Sequence, residues 1–209
     1  MRRIAELIGV LFALLHFDFV GTLCKSFQMR VYTGMLKTKF HRFGKSSAIY
    51  PYMENFRGGE YISIGQNTVL GPSIQLTAWD SYEGIKYNPV IKIGNNCQIR
   101  ANSHITSINK IIIGDNLLTG TNVLITDNSH GLTDIKNLSI PPTNRLLYSK
   151  GPVQIGNNVW LGNNVVVLPG VTIGDAVVVG ANSVVASDIP SYSVAVGAPA
   201  KILKSNRYE

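Results

Sequence analysis

Aliphatic residues recur at every sixth position through the C-terminal third of this 209-residue chain. The longest run comprises Ile155, Leu161, Val167, Ile173, Val179 and Val185, and the glycines that follow four of its members are Gly156, Gly162, Gly174 and Gly180. A period of six fits neither the α-helix, with about 3.6 residues per turn, nor the two-residue alternation of a hairpin sheet. It is typical of a solenoid in which each short strand buries one aliphatic side chain and then turns a corner. The spacing therefore predicts an all-β solenoid, a parallel β-helix built from hexads.

The same phase occurs upstream in three stretches, which start at Ile64, Ile93 and Ile113. The fourth position after each aliphatic residue mostly holds a small or branched side chain that fits a narrow interior, as in Thr68, Cys97, Ser103, Val123, Val159, Val165, Val177 and Ser183. Asn and Asp residues after the glycines supply corner turns, because they tolerate left-handed backbone. We therefore expect the β-helix to span residues 61–198. A helical or irregular N-terminal cap over residues 1–60 and a C-terminal tail over residues 199–209 are expected to cover its open ends.

Two interruptions of the hexads are candidates for functional insertions, because the repeats themselves are mostly scaffold. With three hexads in a coil, two extra residues enter near Lys110–Ile112. A coil that begins at Ile113 should be followed by one at position 131, but the pattern resumes only at Ile155. The chain therefore makes an excursion over residues 131–154, and a loop of this length in a compact domain is usually functional or disordered.

His130 stands directly before this excursion, in the sixth slot of its hexad, which is an outward corner. An exposed histidine titrates near neutrality and can act as a general base, although a corner hydrogen bond would also explain it. Asp127 could orient the imidazole or merely cap the turn, and Asn128 is a further candidate for orienting the base or binding an acceptor. His104 also occupies a sixth slot, but at a different corner, and no excursion follows it. With only two histidines in the coils, we expect no metal site.

Positive charge is concentrated at the front of the chain. Of the net charge of +7, residues 1–60 carry +5, from nine Lys and Arg against four Asp and Glu. The apolar run Leu7–Leu15 lies among these charges and is too short to span a bilayer. The combination predicts either peripheral association of residues 1–45 with an anionic membrane face or a lipid-linked phosphate, or a solvated cap. Nucleic acid is not expected as a partner, since no binding module accompanies the charge.

The two cysteines of the chain argue against a disulfide framework and favour the cytoplasm, with the inner membrane face as the place of any peripheral association. Cys97 falls in a small-residue slot of a hexad, so we expect it to pack in the core rather than act as a nucleophile.

Several strings in the C-terminal half carry a family resemblance. They are Ile155–Gly162 (IGNNVWLG), Val165–Gly174 (VVVLPGVTIG), Val179–Val185 (VGANSVV), Asp188–Pro190 (DIP) and Val196–Lys201 (VGAPAK). With the DNSHG segment and the excursion, the chain resembles the hexapeptide-repeat acyltransferases over about residues 60–204. It is most similar to the sugar O-acetyltransferase branch, which includes galactoside, maltose, O-antigen and capsule O-acetyltransferases. The resemblance implies a left-handed parallel β-helix of triangular section, a homotrimer, and acetyl-CoA bound in the cleft between neighbouring subunits without a metal.

The resemblance also implies roles for single residues. The catalytic histidine of the family matches His130, and its coenzyme-contacting tryptophan matches Trp160. An acceptor-binding asparagine of the galactoside enzymes matches Arg100, with Asn102 two residues further on. A Thr-Lys pair that contacts the coenzyme is replaced here by Ala186 and Ser187, which leaves the phosphate contacts to Lys201 and Lys204. The remaining coenzyme candidates are Gly162, Gly180, Ala181 and Ser187.

The function that this resemblance implies is transfer of an acetyl group from acetyl-CoA to a hydroxyl of a small-molecule or lipid-linked saccharide, in cell-surface polysaccharide biosynthesis. N-acetylation of an amino sugar or a xenobiotic uses the same machinery and is an alternative. A non-catalytic β-solenoid that serves as a scaffold is the third.

Overall fold

The computed structural model of the protein describes residues 2–14 and 18–205. Leu15, at the end of the predicted apolar run, and residues 206–209 of the predicted tail lie outside the described residues.

Two helices precede the solenoid, α1 (Arg2–Leu14) and α2 (Asp18–Leu36). A 3-10 turn at Lys37–Lys39 leads from α2 into the first strand. These helices confirm the helical character of the predicted N-terminal cap. Within the described ranges, no helix combines the length and the apolar composition that crossing a membrane requires.

Short strands joined by corners make up the rest of the described chain. In chain order they are β1 (Arg42–Phe43), β2 (Ala48–Ile49), β3 (Asn55–Arg57), β4 (Ile62–Ile64), β5 (Val69–Leu70), β6 (Gln75–Ala78), β7 (Ser81–Tyr82), β8 (Ile85–Lys86), β9 (Val90–Ile93), β10 (Gln98–Ile99), β11 (His104–Ser107), β12 (Lys110–Ile113), β13 (Leu118–Thr119), β14 (Leu124–Thr126), β15 (Ser129–His130), β16 (Leu147–Tyr148), β17 (Val153–Ile155), β18 (Trp160–Leu161), β19 (Val166–Val167), β20 (Thr172–Ile173), β21 (Val178–Val179), β22 (Val184–Val185), β23 (Ser193–Gly197) and β24 (Ala200–Ser205). The excursion also contains a short helix, α3 (Ile135–Leu138), and a 3-10 turn at Pro142–Asn144.

The strands stack into three faces of a solenoid. Face A contains β1, β4, β9, β12, β17 and β20; face B contains β2, β5, β10, β13, β18, β21, β23 and β24; and face C contains β3, β6, β11, β14, β19 and β22. Neighbouring strands of a face are parallel, except that β24 runs antiparallel to β23. The residues that pair in register along face A are Ile64, Ile93, Ile113, Ile155 and Ile173. The hexad positions predicted from the sequence are therefore confirmed as stacked core positions.

The core is a continuous set of buried aliphatic columns that runs the length of the solenoid. Ile105, Ile125 and Val167 form the column of face C and are almost completely buried. Each such side chain contributes about 1.5–3 kcal/mol relative to an exposed position. Cys97 is also fully buried and burial raises the pKa of its thiol, so it packs as core, as its hexad slot predicted.

Asparagine ladders hold the corners between faces B and C. Asn122, Asn164 and Asn182 have φ values of 59°, 58° and 59°, the left-handed backbone that asparagine tolerates. The side-chain amide of Asn122 donates to Asn164, and that of Asn164 donates to Asn182, both at 2.9 Å. The corner chemistry expected from the sequence is therefore present, and it links each coil to the next.

The solenoid begins earlier than the predicted boundary at residue 61. Strands β1, β2 and β3 already open the three faces, with Phe43 paired to Ile64, Ile49 to Leu70 and Phe56 to Leu76. Two of these first-coil positions hold phenylalanine, and the step from Ile49 to Phe56 is one residue longer than a hexad. The coil therefore lacks the aliphatic six-residue signature. At the other end, β24 turns part of the predicted tail into a strand of face B.

Successive coils carry insertions at the same corner, between faces C and A. The first is an antiparallel hairpin of β7 and β8, which the sequence analysis missed. The second consists of the two extra residues expected near Lys110–Ile112. They lie just before that range, because β12 pairs one to one with β9 and the surplus falls at Ile108 and Asn109. The third is the excursion, whose ends are closed by antiparallel pairing of β15 with β16. That pairing and α3 make the excursion more ordered than the irregular loop we expected.

Candidate active site

A cavity of about 380 Å³ opens on the outer side of face C, between the hairpin and the excursion. Its lining consists of Trp79, Tyr82, His104, Thr106, Leu124, Thr126, Asn128, His130 and Leu147. Strand alternation explains the floor, because Ile105 and Ile125 point into the core and the residues on either side of them point outward. Two threonine hydroxyls, an amide, two imidazoles and two aromatic rings therefore surround one space.

His130 lies in this cavity at the start of the excursion. Its strand β15 pairs with β16, so that the backbone of His130 is opposite Leu147. The imidazole is exposed and meets the ring of Tyr82 edge to face, with centroids 5.6 Å apart and an interplanar angle of 75°. Neither ring nitrogen of His130 bonds to another residue of the described chain. The imidazole is therefore oriented by an aromatic ring, and its ring nitrogens are open to a ligand.

Asp127 points away from the cavity, into the corner behind it. Its fully buried carboxylate accepts from the Ser107 hydroxyl at 2.5 Å and from the backbone N–H groups of Ile108 and Asn109 at 2.9 and 3.0 Å. A fourth bond comes from the Asn128 side-chain amide at 3.1 Å. Of the two roles considered for Asp127, the structure supports holding the turn rather than orienting His130.

Asn128 lies between these two residues and lines the cavity. Its side-chain amide also donates to the Thr106 carbonyl at 3.3 Å, and its backbone N–H donates to the Thr126 hydroxyl at 3.1 Å. These bonds fix Asn128 at the floor of the cavity, so its side-chain oxygen is the atom left for a ligand.

His104 lines the same cavity, which corrects the expectation that its position at another corner separates it from His130. His104 begins β11, the strand that pairs with β14, and His130 follows β14 closely. A face is only three or four residues wide, about 10–13 Å, so a ligand can touch both of its edges. Burial lowers the pKa of His104, and the charge of Glu54 partly opposes this shift.

The hairpin contributes the aromatic wall of the cavity, and hydrogen bonds join it to the excursion. The Tyr82 hydroxyl donates to the Thr143 carbonyl at 2.9 Å, and the Tyr87 hydroxyl donates to the Leu147 carbonyl at 3.1 Å. At the base of the hairpin, the Arg57 guanidinium lies 4.1 Å from the centre of the Trp79 ring. The two insertions therefore form one connected wall.

A signal for this hairpin was present in the sequence. Three hexads after Ile64 lies position 82, yet the partner of Ile64 in the next coil is Ile93. The coil is therefore longer than three hexads, and the additional residues include Trp79, Tyr82 and the rest of the β7–β8 hairpin. Counting the residues in this coil would have revealed the insertion, as it revealed the excursion.

Arg100 and Asn102, the acceptor candidates from the resemblance, do not line this cavity. Arg100 follows β10 on face B and is exposed, and its backbone N–H donates to the Thr119 hydroxyl at 2.9 Å. Asn102 occupies a corner between faces B and C with a φ of 58°. Within one chain, both residues are therefore separated from His130 by the width of face C.

Trp160 and the lysine candidates share the outer side of face B. The indole of Trp160 is 52 % exposed. Trp160, Val178, Val194 and Lys204 pair in register across four neighbouring strands, and Lys201 pairs with Val196 on the same side. At about 4.8 Å per strand, Lys204 lies roughly 14 Å from Trp160. An aromatic ring and two cations therefore line one elongated surface.

Gly162 and Gly180 are required by the close stacking of coils. A Cβ on Gly162 would come within 2.6 Å of the Ala181 backbone nitrogen, and one on Gly180 within 2.7 Å of a Val196 methyl. Ala181 and Ser187 are exposed corner residues. The catalytic and coenzyme candidates thus lie on different parts of one chain.

Among the residues that the structure describes, no group of three or more His, Cys, Asp or Glu side chains could hold a metal ion.

Comparisons with known proteins agree with this architecture. The family model of bacterial transferase hexapeptides (six repeats) matches residues 152–187, and that of the hexapeptide repeat of succinyl-transferase matches residues 90–127. WbbJ of Escherichia coli K12, by name a lipopolysaccharide biosynthesis O-acetyl transferase, is 41 % identical over 152 residues, which are 71 % of this chain and 74 % of WbbJ. The galactoside O-acetyltransferase of the same strain is 34 % identical over 149 residues, 69 % of this chain and 64 % of that protein.

A solved structure gives a further comparison. The hexapeptide-repeat acetyltransferase of Vibrio cholerae in complex with acetyl coenzyme A has a TM-score of 0.52 and 26 % identity, and the match covers 84 % of this chain and 76 % of that one.

Proposed function

The chain belongs to the hexapeptide-repeat acyltransferases, in their sugar O-acetyltransferase branch, and from this premise we propose its reaction. The enzyme transfers the acetyl group of acetyl-CoA to a hydroxyl of a saccharide that is used to build a cell-surface polysaccharide. The observation that carries the proposal is the cavity in which the unpartnered imidazole of His130 faces threonine hydroxyls and an aromatic wall. Membership of an acyltransferase family argues against the alternative of a non-catalytic scaffold.

In this reaction His130 is the general base. A ring nitrogen takes the proton from the acceptor hydroxyl while the hydroxyl oxygen attacks the thioester carbonyl of acetyl-CoA. The tetrahedral intermediate then collapses, its C–S bond breaks, and the proton passes from the imidazolium to the departing thiolate. The products are an acetyl ester and free CoA, and no covalent enzyme intermediate is required. The edge contact with Tyr82 keeps the imidazole directed into the cavity.

The coenzyme lies along the outer side of face B, with Trp160 against one end and Lys201 and Lys204 near its phosphates. Exposed indole and lysine side chains suit the flat adenine and the anionic groups of CoA. Gly162, Gly180 and Ala181 border the same surface at the corner that ends face B, whereas Ser187 follows β22 at the corner between faces C and A. A galactoside enzyme and a Vibrio cholerae enzyme of the same repeat family that bind CoA or acetyl-CoA support this part of the proposal.

A homotrimer completes the site. In a solenoid with three faces, the corner between faces C and A, which carries His130, is opposite face B, which carries Trp160. A coenzyme on face B of one chain therefore meets the His130 of a neighbour more readily than that of its own chain. Threefold assembly with a shared site satisfies this geometry. Arg100 and Asn102, at the far edge of face B, would reach the acceptor from the neighbouring subunit in the same way.

The N-terminal region holds the enzyme at the inner face of the cytoplasmic membrane. Exposed apolar side chains follow helical spacing along α1 and α2, and Val10 is exposed beside them; the spaced residues are Ile4, Leu7, Ile8, Leu11, Leu23, Phe27, Val31 and Met35. Next to α2, Arg30, Lys37 and Lys45 line a groove of about 610 Å³. Apolar stripes beside a basic groove suit an anionic lipid surface, where lipid-linked saccharides are assembled. Packing of the same stripes between subunits is the competing arrangement.

A screen of saccharides and nucleotide sugars with acetyl-CoA tests the proposed reaction. Free thiol release measures turnover, and mass spectrometry of the acceptor identifies the ester. We expect at least one saccharide to release thiol well above the rate of acetyl-CoA hydrolysis. An N-acetylated product would instead support the amine alternative, and no transfer to any saccharide by a folded enzyme that binds CoA contradicts the proposal.

A further inference from the structure

The candidate active site contains a second imidazole, His104, that the proposed reaction does not use. His104 is the first residue of β11, at the edge of face C that lies across the floor from His130, and it is in register with Gln75 on one side and Leu124 on the other. It lines the cavity together with His130 and Tyr82.

The ring nitrogens of His104 are unpaired within the described chain. Gln75 donates its side-chain amide to the Glu54 carboxylate at 3.1 Å, and Leu124 offers no polar group. Among the described residues no buried side-chain nitrogen or oxygen lacks a hydrogen-bond partner, so the unpaired ring nitrogens of the half-buried His104 are accessible to solvent and can bind a ligand. The imidazole of His104 lines the cavity, so that cavity is where a ligand would reach it.

The charge state of His104 suits a hydroxyl group. Burial lowers the pKa of His104 and thereby favours the uncharged imidazole, while the carboxylate of Glu54 opposes this shift. An uncharged imidazole has one nitrogen that donates and one that accepts, and a saccharide hydroxyl also does both. His130 and Tyr82 are the other titratable groups on the same cavity.

We propose that His104 is an acceptor-binding residue that hydrogen-bonds a second hydroxyl of the saccharide and thereby selects which hydroxyl reaches His130. The inference rests on the proposed function. It assigns the acceptor class as a saccharide with at least two hydroxyls on the side that enters the cavity. Because His104 lies across the floor from His130, a saccharide held by His104 places a particular hydroxyl at His130, and His104 thereby determines which hydroxyl is acetylated.

Two substitutions test this role, and each copies a neighbour in the same row of the sheet. His104→Leu matches Leu124 and removes both polar atoms, whereas His104→Gln matches Gln75 and retains a donor and an acceptor. Gln154→Leu is the control, because Gln154 is an exposed, outward residue of β17 on face A. For each variant, KM for the acceptor, KM for acetyl-CoA and kcat are measured by thiol release, and the ester position is read by NMR.

We expect His104→Leu to raise the acceptor KM at least about tenfold, since a lost hydrogen bond of about 1.4 kcal/mol is a tenfold change in affinity. The KM for acetyl-CoA should stay within about twofold, and the ester should spread over more than one hydroxyl. His104→Gln should restore most of the acceptor KM, and Gln154→Leu should behave as wild type.

The inference is overturned if His104→Leu leaves the acceptor KM and the ester position unchanged. It is also overturned if His104→Leu and His104→Gln lose kcat equally at an unchanged acceptor KM, because that pattern belongs to a base or to damaged folding. Both results require an active wild-type enzyme and leave the proposed function standing. A wild type that acetylates no saccharide refutes the proposed function itself, and this inference with it.

Discussion

His130 and Asp127 are neighbours in the chain but serve different parts of the molecule. The imidazole turns outward against Tyr82, while the carboxylate turns inward and is saturated by four hydrogen bonds. The DNSHG segment led us to predict His130 and Asn128 as site residues, and both line one cavity. It could not reveal the direction of the Asp127 carboxylate. That carboxylate turns toward the backbone N–H groups of Ile108 and Asn109, at a corner almost twenty residues earlier in the chain. The sequence did not predict His104 as a site residue for a related reason. Counting hexad positions along one coil does not show which residues of neighbouring coils line the same cavity.

His130→Ala should reduce kcat by a factor of about 10²–10⁴, the usual contribution of a general base. The thermal midpoint and the affinity for CoA should be nearly unchanged, because the side chain is exposed and outside the core. Thiol release, thermal denaturation and calorimetry with CoA measure the three quantities. A variant that retains more than about a tenth of wild-type turnover would show that His130 is not the base.

Asp127→Asn should destabilise the fold by about 2–4 kcal/mol, because a buried amide cannot accept from all of the donors that the carboxylate satisfies. Urea denaturation measures this free energy of unfolding. Asp134→Ala is the control, since Asp134 caps the short helix α3 in the exposed excursion and its loss should leave the free energy of unfolding nearly unchanged. Equal stability of Asp127→Asn and wild type would contradict the structural role given to Asp127.

At the scale of elements, the fold was predictable wherever each coil repeats a rule, and it was missed where a coil departs from it. The hexads that begin at Ile155 gave strands, register and corners because aliphatic columns and asparagine turns recur there. The first coil was missed because Phe43 and Phe56 replace aliphatic residues. The hexad pattern did not predict the hairpin, because the residues of β7 and β8 follow no six-residue repeat. Only the unusual length of the coil that contains them indicates an insertion.

The hydrogen bonds of Tyr82 and Tyr87 join the hairpin to the excursion, so we expect the two segments to move together. Tyr82→Phe and Tyr87→Phe together should leave the solenoid intact but loosen residues 131–152. We expect hydrogen exchange in that segment to speed up several-fold and the acceptor KM to rise about three- to tenfold, since two hydrogen bonds of about 1 kcal/mol are lost. Tyr50→Phe, at an exposed position on the first coil, is the control. Unchanged exchange in the double variant would mean that the excursion holds its position without the hairpin.

At the scale of the whole molecule, the left-handed parallel β-helix predicted from the resemblance is confirmed by the family to which the chain belongs. One chain alone does not bring His130 and Trp160 together, because they occupy a corner and the face opposite to it. The hexad spacing predicted that His130 lies at the start of the excursion, where the structure has it. His130 and Trp160 are far apart in one chain because the solenoid has three faces. The proposed site therefore needs residues from two neighbouring chains.

Mixed trimers test the shared site. His130→Ala and Trp160→Ala chains should each be nearly inactive, whereas trimers that contain both should recover part of the activity, because one interface then combines an intact histidine with an intact tryptophan. Co-expression with two different affinity tags isolates the mixed species for thiol-release assays. If tandem purification confirms mixed trimers and these remain inactive, the site lies within one chain.

The N-terminal stripes and basic groove give a prediction about membranes. The protein should co-sediment with vesicles of anionic phospholipid at low salt and be released at high salt, since each basic residue near such a surface contributes about 1 kcal/mol. Vesicles of neutral phospholipid are the comparison, and Lys37→Gln with Lys45→Gln should weaken the binding. Equal recovery with both kinds of vesicle would leave packing between subunits as the role of α1 and α2.

The placement of the hairpin and the excursion at one corner has a consequence for how this enzyme can change its substrate. The aliphatic columns pass beneath that corner without a shift of register, so sequence can be added or removed there while the scaffold keeps its shape. The Tyr82 bond to Thr143 means that the two insertions are not independent units of variation. A new acceptor preference should therefore be inherited, or transplanted into another β-helix, only when the hairpin and the excursion are exchanged as a pair.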